Sequence, residues 1–222
     1  RFKKQEFPQS QMVPVKPDSL KPVFPAAMRK VNFLLQRMII KGSTIYNKRK
    51  FSRLFRKYLQ RRITLEQVYI IAQQITNMYR NDGYILSKAV VPPQKIEDGA
   101  VQINVIEGFV DRVAIQGQVR GPRRLLNEYR KGILRSRPLK ARDLERYLLL
   151  VDDLPGVSVK SVLTPSKDKP GATNMTLILS NKAYEGSLGL DNRGTKFNGP
   201  IQVNAGLSGN TIFKNYERIG LQ

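Results

Sequence analysis

Apolar residues along this chain alternate between a period of two and a helical period, and the switches mark out its elements. Val31–Lys41 is an apolar, partly alternating run closed by Gly42, which predicts a strand. Over Lys48–Gln60 the period becomes helical, with Phe51, Leu54, Phe55, Tyr58 and Leu59 forming one stripe at i, i+3, i+4, i+7 and i+8. A second helix is predicted from Thr64, an N-cap residue with Gln67 three positions on. Its buried face is Leu65, Val68, Ala72, Ile75 and Tyr79, and Asn81-Asp82-Gly83 ends it, since glycine accepts the left-handed backbone of a helix stop. Two short β runs follow, Tyr84–Val91 and Ala100–Ile106, separated by Pro92-Pro93 and Asp98-Gly99. The order is β-α-α-β-β.

The same order then recurs. Arg112-Val-Ala-Ile-Gln-Gly117 parallels Arg37-Met-Ile-Ile-Lys-Gly42 seventy-five positions later. Helices are predicted over Pro122–Leu134, with Pro122 suited to a first turn, and over Ala141–Leu154, where Leu144, Leu148 and Val151 face inward. Pro155-Gly156 stops the second, and strands follow at Val157–Thr164 and Asn174–Leu179. Two copies of one unit account for residues 31–182 better than one large domain.

Beyond Lys182 the pattern is alternation alone. Tyr184, Gly186, Leu188 and Leu190 alternate with Glu185, Ser187, Gly189 and Asp191; Ile201, Val203, Ala205 and Leu207 alternate with Gln202, Asn204, Gly206 and Ser208; Asn215–Gln222 begins a third run. Strands with one polar and one apolar face, joined by Asn/Gly turns, fit a transmembrane barrel, and they fit equally a soluble sheet with one wet face. Three strands cannot close a barrel, so the barrel reading makes this chain the beginning of a longer one.

Composition narrows the chemistry. With neither Cys nor His among the 222 residues, thiol nucleophiles, Ser-His-Asp triads, thiolate or imidazole metal sites and histidine acid–base catalysis are all excluded. The adjacent acids Glu97-Asp98 and Asp152-Asp153 sit beside Gly or Pro and read as turn residues. No catalytic residue, metal ligand or cofactor is expected, and an enzyme is not. The start, Arg1-Phe2-Lys3-Lys4, lacks the apolar core of a secretory signal, so a leader has been removed or there was none. Five prolines between Pro8 and Pro25 predict an extended linker over residues 1–30.

The net charge of +22 is uneven: residues 1–62 hold seventeen Lys and Arg against Glu6 and Asp18. The predicted first helix has a basic face of Lys48, Arg49, Lys50, Arg53, Arg56, Lys57, Arg61 and Arg62. That face is a solvated surface, a docking face for acidic protein or anionic lipid, or a phosphate-binding face. Nucleic acid has the weakest case, because Phe51, Phe55 and Tyr58 are already committed to the buried stripe.

Several motifs resemble one family. Ile75-Thr-Asn-Met-Tyr-Arg-Asn-Asp-Gly83-Tyr84-Ile85, then Ala89-Val-Val-Pro92-Pro-Gln94, Asp98-Gly99 and Val105-Ile-Glu-Gly108, resemble the first polypeptide-transport-associated (POTRA) domain of two-partner secretion transporters, the haemolysin secretion/activation family of outer-membrane proteins. Ile115-Gln-Gly117 and Leu154-Pro155-Gly156-Val157 are similar to the second such domain, and Leu190-Asp-Asn-Arg-Gly194 to the entry into the barrel. The resemblance implies an α+β chain: two tandem POTRA domains (β-α-α-β-β), residues 31–108 and 109–182, followed by the first antiparallel strands of a transmembrane β-barrel from 183 to 222. It also implies a nucleotide-free transporter of the Gram-negative outer membrane, this segment mostly periplasmic, with an unfolded secreted exoprotein as client and lipid around the barrel. The family's N-terminal plug helix is not recognisable in residues 1–12.

A sheet edge can receive an extended client by backbone pairing. In the family's fold the strand after the second helix lies at an edge, here Ile85, Leu86, Ser87, Lys88, Ala89, Val90 and Val91. Gln67, Ile71, Gln74 and Met78 are the expected groove wall. Lys48, Arg49, Arg53, Arg56 and Lys57 are the expected basic docking face. Tyr79 reads as core, and Arg80 as either a client contact or an anchor of the helix end. The alternative function is a soluble basic module of duplicated β-α-α-β-β domains that binds nucleic acid or an acidic partner.

Overall fold

A computed structural model describes residues 32–192, 199 and 201–221; the linker and plug-helix readings of residues 1–30 lie outside the described residues, as does the end of the Leu190–Gly194 motif. Two β-α-α-β-β units follow one another and lead into a sheet of antiparallel strands.

In the first unit β1 (Asn32–Leu35) and β2 (Arg37–Lys41) precede α1 (Lys48–Phe55), β3 (Arg61–Thr64), α2 (Leu65–Asn81), β4 (Lys88–Val90) and β5 (Ala100–Ile106). The sheet order is β2-β5-β4, with β2 parallel and β4 antiparallel to β5. Alternation in β5 is complete: Val101, Ile103 and Val105 are buried against Phe51, Val68, Ile71, Ala72, Ile75 and Tyr79 of the helices. Thr64 caps α2 in a reciprocal capping box with Gln67, as the sequence predicts.

Three expectations are corrected in this unit. The run from Val31 to Lys41 is two strands rather than one: the Gln36 and Arg37 amides both donate to Gly99 O (2.9 and 3.2 Å), which bends the chain between them. The first helix ends at Phe55 rather than Gln60. A 3-10 turn over Arg56–Tyr58 and a left-handed Gln60 (φ 58°) lead into β3, which pairs antiparallel with β1. Arg61 and Arg62 are therefore strand residues. The run from Tyr84 to Val91 is a strand only over Lys88–Val90. Before it, Tyr84 N–H donates to Tyr79 O (2.9 Å) and Ser87 N–H to Tyr84 O (3.1 Å), so Tyr84–Ser87 is a turn.

The second unit repeats the first: β6 (Phe109–Gln116), α3 (Arg123–Arg135), α4 (Ala141–Asp152), β7 (Val157–Pro165) and β8 (Ala172–Asn181). Its order is β6-β8-β7, again with the first strand parallel and the third antiparallel to the centre. The two glycines of the sequence repeat show how close the copy is. Gly42 (φ 84°) and Gly117 (φ 98°) end their strands in left-handed backbone, where a Cβ would lie 2.2 Å from Val105 O and 2.0 Å from Leu179 O. Only glycine fits either turn.

The units are joined by a built contact. Leu139 N–H donates to Gly108 O (2.9 Å) and Ala141 N–H to Gly83 O (2.8 Å), while Gly108 is itself held by donating to Ser87 Oγ (3.1 Å) within the first unit. Leu86, from the turn of the first unit, packs against the core of the second.

After Lys182 come β9 (Tyr184–Asp191), β10 (Gln202–Asn210) and β11 (Arg218–Leu221), an antiparallel meander. The third run thus starts at Arg218 rather than Asn215. Register pairs Leu190 with Val203, Leu188 with Ala205, and Leu207 with Gly186 and Leu221, which gathers the apolar side chains on one face. That face is bare: Leu188 is 81% and Leu190 75% exposed. Glu185 opposite Ser208 and Asn210 opposite Arg218 form the polar face, on which Arg218 pairs with Glu185.

Candidate functional site

The expected docking strand is reduced to three residues, because the turn that joins the units consumes the rest. Ser87 is buried and accepts from Gly108 N–H, Leu86 belongs to the second core, and Ile85 is an exposed turn residue. Lys88, Ala89 and Val90 do lie at the sheet edge, with Val91 just beyond. The outward amide of Ala89 is already engaged, donating to Thr76 Oγ1 at 2.9 Å.

The expected groove wall does not flank this edge. Thr76 shows which side of α2 faces β4, and Gln73 and Arg80 share that side at i−3 and i+4. Gln74 and Met78 lie about 200° from Thr76 on the helix wheel, and they line a shallow cleft with Lys50 and Leu54 of α1. Ile71 is fully buried in the core. The Gln67 side chain accepts from the Thr64 amide (2.9 Å), so it closes the helix end. Of the four expected wall residues only Gln74 and Met78 line a cleft, and it lies against α1.

The basic face fares better. Lys48, Arg49, Arg53, Arg56 and Lys57 are all exposed, on α1 and the turn after it. Lys50 pairs with Asp82 (2.9 Å) and lies over the Tyr46 ring. Phe51 is buried, and Phe55 and Tyr58 pack on the core, so their rings are not free to stack on bases.

Beside this face, Glu107 ties down the loop after β2. Its carboxylate accepts from the Thr44 and Ile45 amides (2.8 and 3.1 Å), from Thr44 Oγ1 and from the buried Tyr79 hydroxyl (2.7 Å). Burial alone raises the pKa of this acid, but the hydrogen bonds from Thr44, Tyr79 and Ile45 outweigh it and hold it below the usual carboxylate range. Tyr79 is thus core and loop anchor at once, whereas Arg80 is exposed.

The edges of the second unit are longer. β7 runs nine residues at one edge, with one amide, that of Val159, donating to Asp152 Oδ1 (3.2 Å). At the other edge β6 and α3 enclose a cleft. The terminal sheet is fastened to this unit by the turn between β10 and β11. Asn210 N–H donates to Ala183 O (2.7 Å), Asn210 Nδ2 to Lys182 O (3.0 Å) and Thr211 Oγ1 to Pro155 O (3.1 Å). Tyr216 packs against the second core, and the Glu217 carboxylate accepts from the Phe213 and Asn215 amides. Among the described residues no cluster of acids is arranged to hold a metal ion, and no helix is long and apolar enough to cross a membrane.

Comparison with known proteins agrees with this architecture. The family model "POTRA domain, ShlB-type" matches residues 33–108. The chain is 26% identical over 165 residues to the heme/hemopexin transporter protein HuxB of Haemophilus influenzae (strain 86-028NP), which covers 73% of this chain and 29% of that protein. It is 27% identical over 182 residues to the outer membrane transporter CdiB of Dickeya dadantii, covering 82% and 32%. The chain therefore spans about three tenths of the length of these relatives. Among solved structures, CdiB from Escherichia coli aligns with a TM-score of 0.69 at 25% identity over 91% of this chain and 37% of that one. The N-terminal domain of Omp85 from Thermosynechococcus elongatus shares the fold, with a TM-score of 0.54 at 22% identity over 67% and 66%. Residues 33–108 thus match the ShlB-type POTRA family, and the chain as a whole is similar to the N-terminal part of the outer-membrane transporters HuxB and CdiB.

Proposed function

We propose that this chain is the client-handling part of an outer-membrane polypeptide transporter. POTRA domains at residues 31–108 and 109–182 capture an unfolded secreted partner in the periplasm and pass it to a pore whose wall starts at residue 183. One observation carries this reading: a meander with one bare apolar face and one polar face is hydrogen-bonded directly onto the second unit. Such a face is stable in lipid and a liability in water. A soluble module has no use for it.

Capture proceeds by strand addition at Lys88–Val90. A client strand there exchanges the Thr76 hydroxyl for a backbone carbonyl at the Ala89 amide, so the site is satisfied when empty and when filled. The exposed cations Lys48, Arg49, Arg53, Arg56 and Lys57 attract acidic client segments or anionic lipid heads to the same domain. The test is Ala89→Pro, which removes an amide that points away from β5 and so spares the ladder. Client affinity, measured by titration of the unfolded client, should fall about tenfold, roughly the loss of one or two backbone hydrogen bonds. Unchanged affinity in a folded variant rules out this edge.

A further inference from the structure

The cleft in the second unit has features that the first unit lacks. Its volume is about 270 Å³, and it lies between α3 and β6, lined by Val113, Ala114, Ile115, Val119, Leu126 and the cations Arg123 and Arg130, with Asn127 beside them. β6 is the outermost strand of its sheet. At two other edges a helix side chain caps an outward amide, Thr76 at Ala89 and Asp152 at Val159. Among the described residues β6, like β2, has no such cap. Arg130 adds the chemistry: its Nε is buried without a hydrogen-bond partner. A buried guanidinium N–H without an acceptor is costly, and a carboxylate satisfies it well. The one acid of α3, Glu128, already pairs with Lys131 (2.8 Å).

We propose that this cleft binds an extended acidic segment of the client, whose backbone pairs with β6 while an Asp or Glu side chain reaches Arg130, with Arg123 at the mouth. The apolar lining takes the neighbouring side chains on the same face of the segment. Charge selects this occupant. Residues 1–31 of the chain itself carry seven Lys and Arg against Glu6 and Asp18, and a second copy carries the same net +22, so neither complements the site. The location suits a relay: Tyr216 of the β10–β11 turn donates to Pro122 O (3.4 Å), next to Arg123 of the cleft, which puts the bound segment near the strands that begin at residue 184. The client's identity rests on the transporter reading; binding of an acidic segment does not, and the two can fail separately.

The probes are a fluorescent octapeptide of alternating Val and Asp and its twin with Asn for Asp, titrated into the 222-residue chain. The acidic peptide should bind about tenfold more tightly than its twin, as one charge-assisted pair warrants. Arg130→Gln should bring the two within about twofold, while Arg135→Gln, an equal loss of charge at an exposed position of α3, leaves the preference intact. Arg123→Gln, a variant at the surface that cannot disturb the core, should reduce the preference about threefold. Three results overturn the proposal: no preference in the unaltered chain, equal effects of Arg130→Gln and Arg135→Gln, or loss on Arg130→Gln of binding to phosphatidylglycerol vesicles rather than to the peptide.

Discussion

β5 and β10 are nearly interchangeable as strings, each a short strand with apolar residues at every second place, yet their fates are opposite. Val101, Ile103 and Val105 of β5 vanish under two helices, whereas Val203 and Leu207 of β10 stand more than 60% exposed. The difference is in what surrounds them in the chain. β5 follows helices whose apolar stripes need a sheet to cover; β9 to β11 follow one another with no helix between them among the described residues. Alternation says that a strand has two unlike faces, and only the neighbouring elements say what covers the apolar one.

Substitution with charge should break the comparison most sharply. Ile103→Asp places an unpaired carboxylate at a fully buried position and should cost about 4 kcal/mol or more, unfolding the first unit in a thermal scan. Leu188→Asp in water should leave the same unfolding transition unmoved, because its side chain touches little. The repeat offers a second, smaller test. Gly42→Ala and Gly117→Ala each force left-handed backbone on a residue with Cβ and press it into a carbonyl, at a cost of about 2–3 kcal/mol. If the units are true copies, the two variants lose similar amounts in urea unfolding; a large inequality separates them.

The smallest effect concerns pH. Glu107 has its pKa depressed in the folded state, so its contribution is present above the unfolded carboxylate value and fades as pH drops through the folded one. The difference in stability between the unaltered chain and Glu107→Gln should be about 1 kcal/mol at pH 7, typical of charge-assisted bonds at a half-buried site, and approach zero once pH has fallen below the folded value. A difference independent of pH removes the carboxylate from the account.

Much of the fold was legible in the sequence, for identifiable reasons. Thr64 and Gln67 announced the start of α2, Gly83 its end, and the stripe through Tyr79 its buried face. What escaped was set by contacts distant in sequence. Nothing local reveals that Gln36 and Arg37 both bond Gly99, which splits one apolar run into β1 and β2. Leu86 looks like a strand residue until the second unit's core claims it, and Ser87 until Gly108, at the far end of the first unit, donates to its hydroxyl. The candidate site suffered for the same cause. Gln74 and Met78 are a groove wall, but the groove is against α1, and the Arg130 cleft depends on β6 being outermost, which no pattern within β6 declares. Basic residues were readable as a surface because exposure needs no partner.

The central claim is that the apolar face of β9 and β10 meets lipid. The chain has no cysteine, so single cysteines at positions 187 to 190 and 203 to 206 can carry an environment-sensitive fluorophore in the protein reconstituted into proteoliposomes. Quenching by lipids brominated on their acyl chains should alternate along each strand, strong at 188, 190, 203 and 205 and weak at 187, 189, 204 and 206. Uniform quenching, or none at any position, contradicts a membrane strand and with it the transporter account.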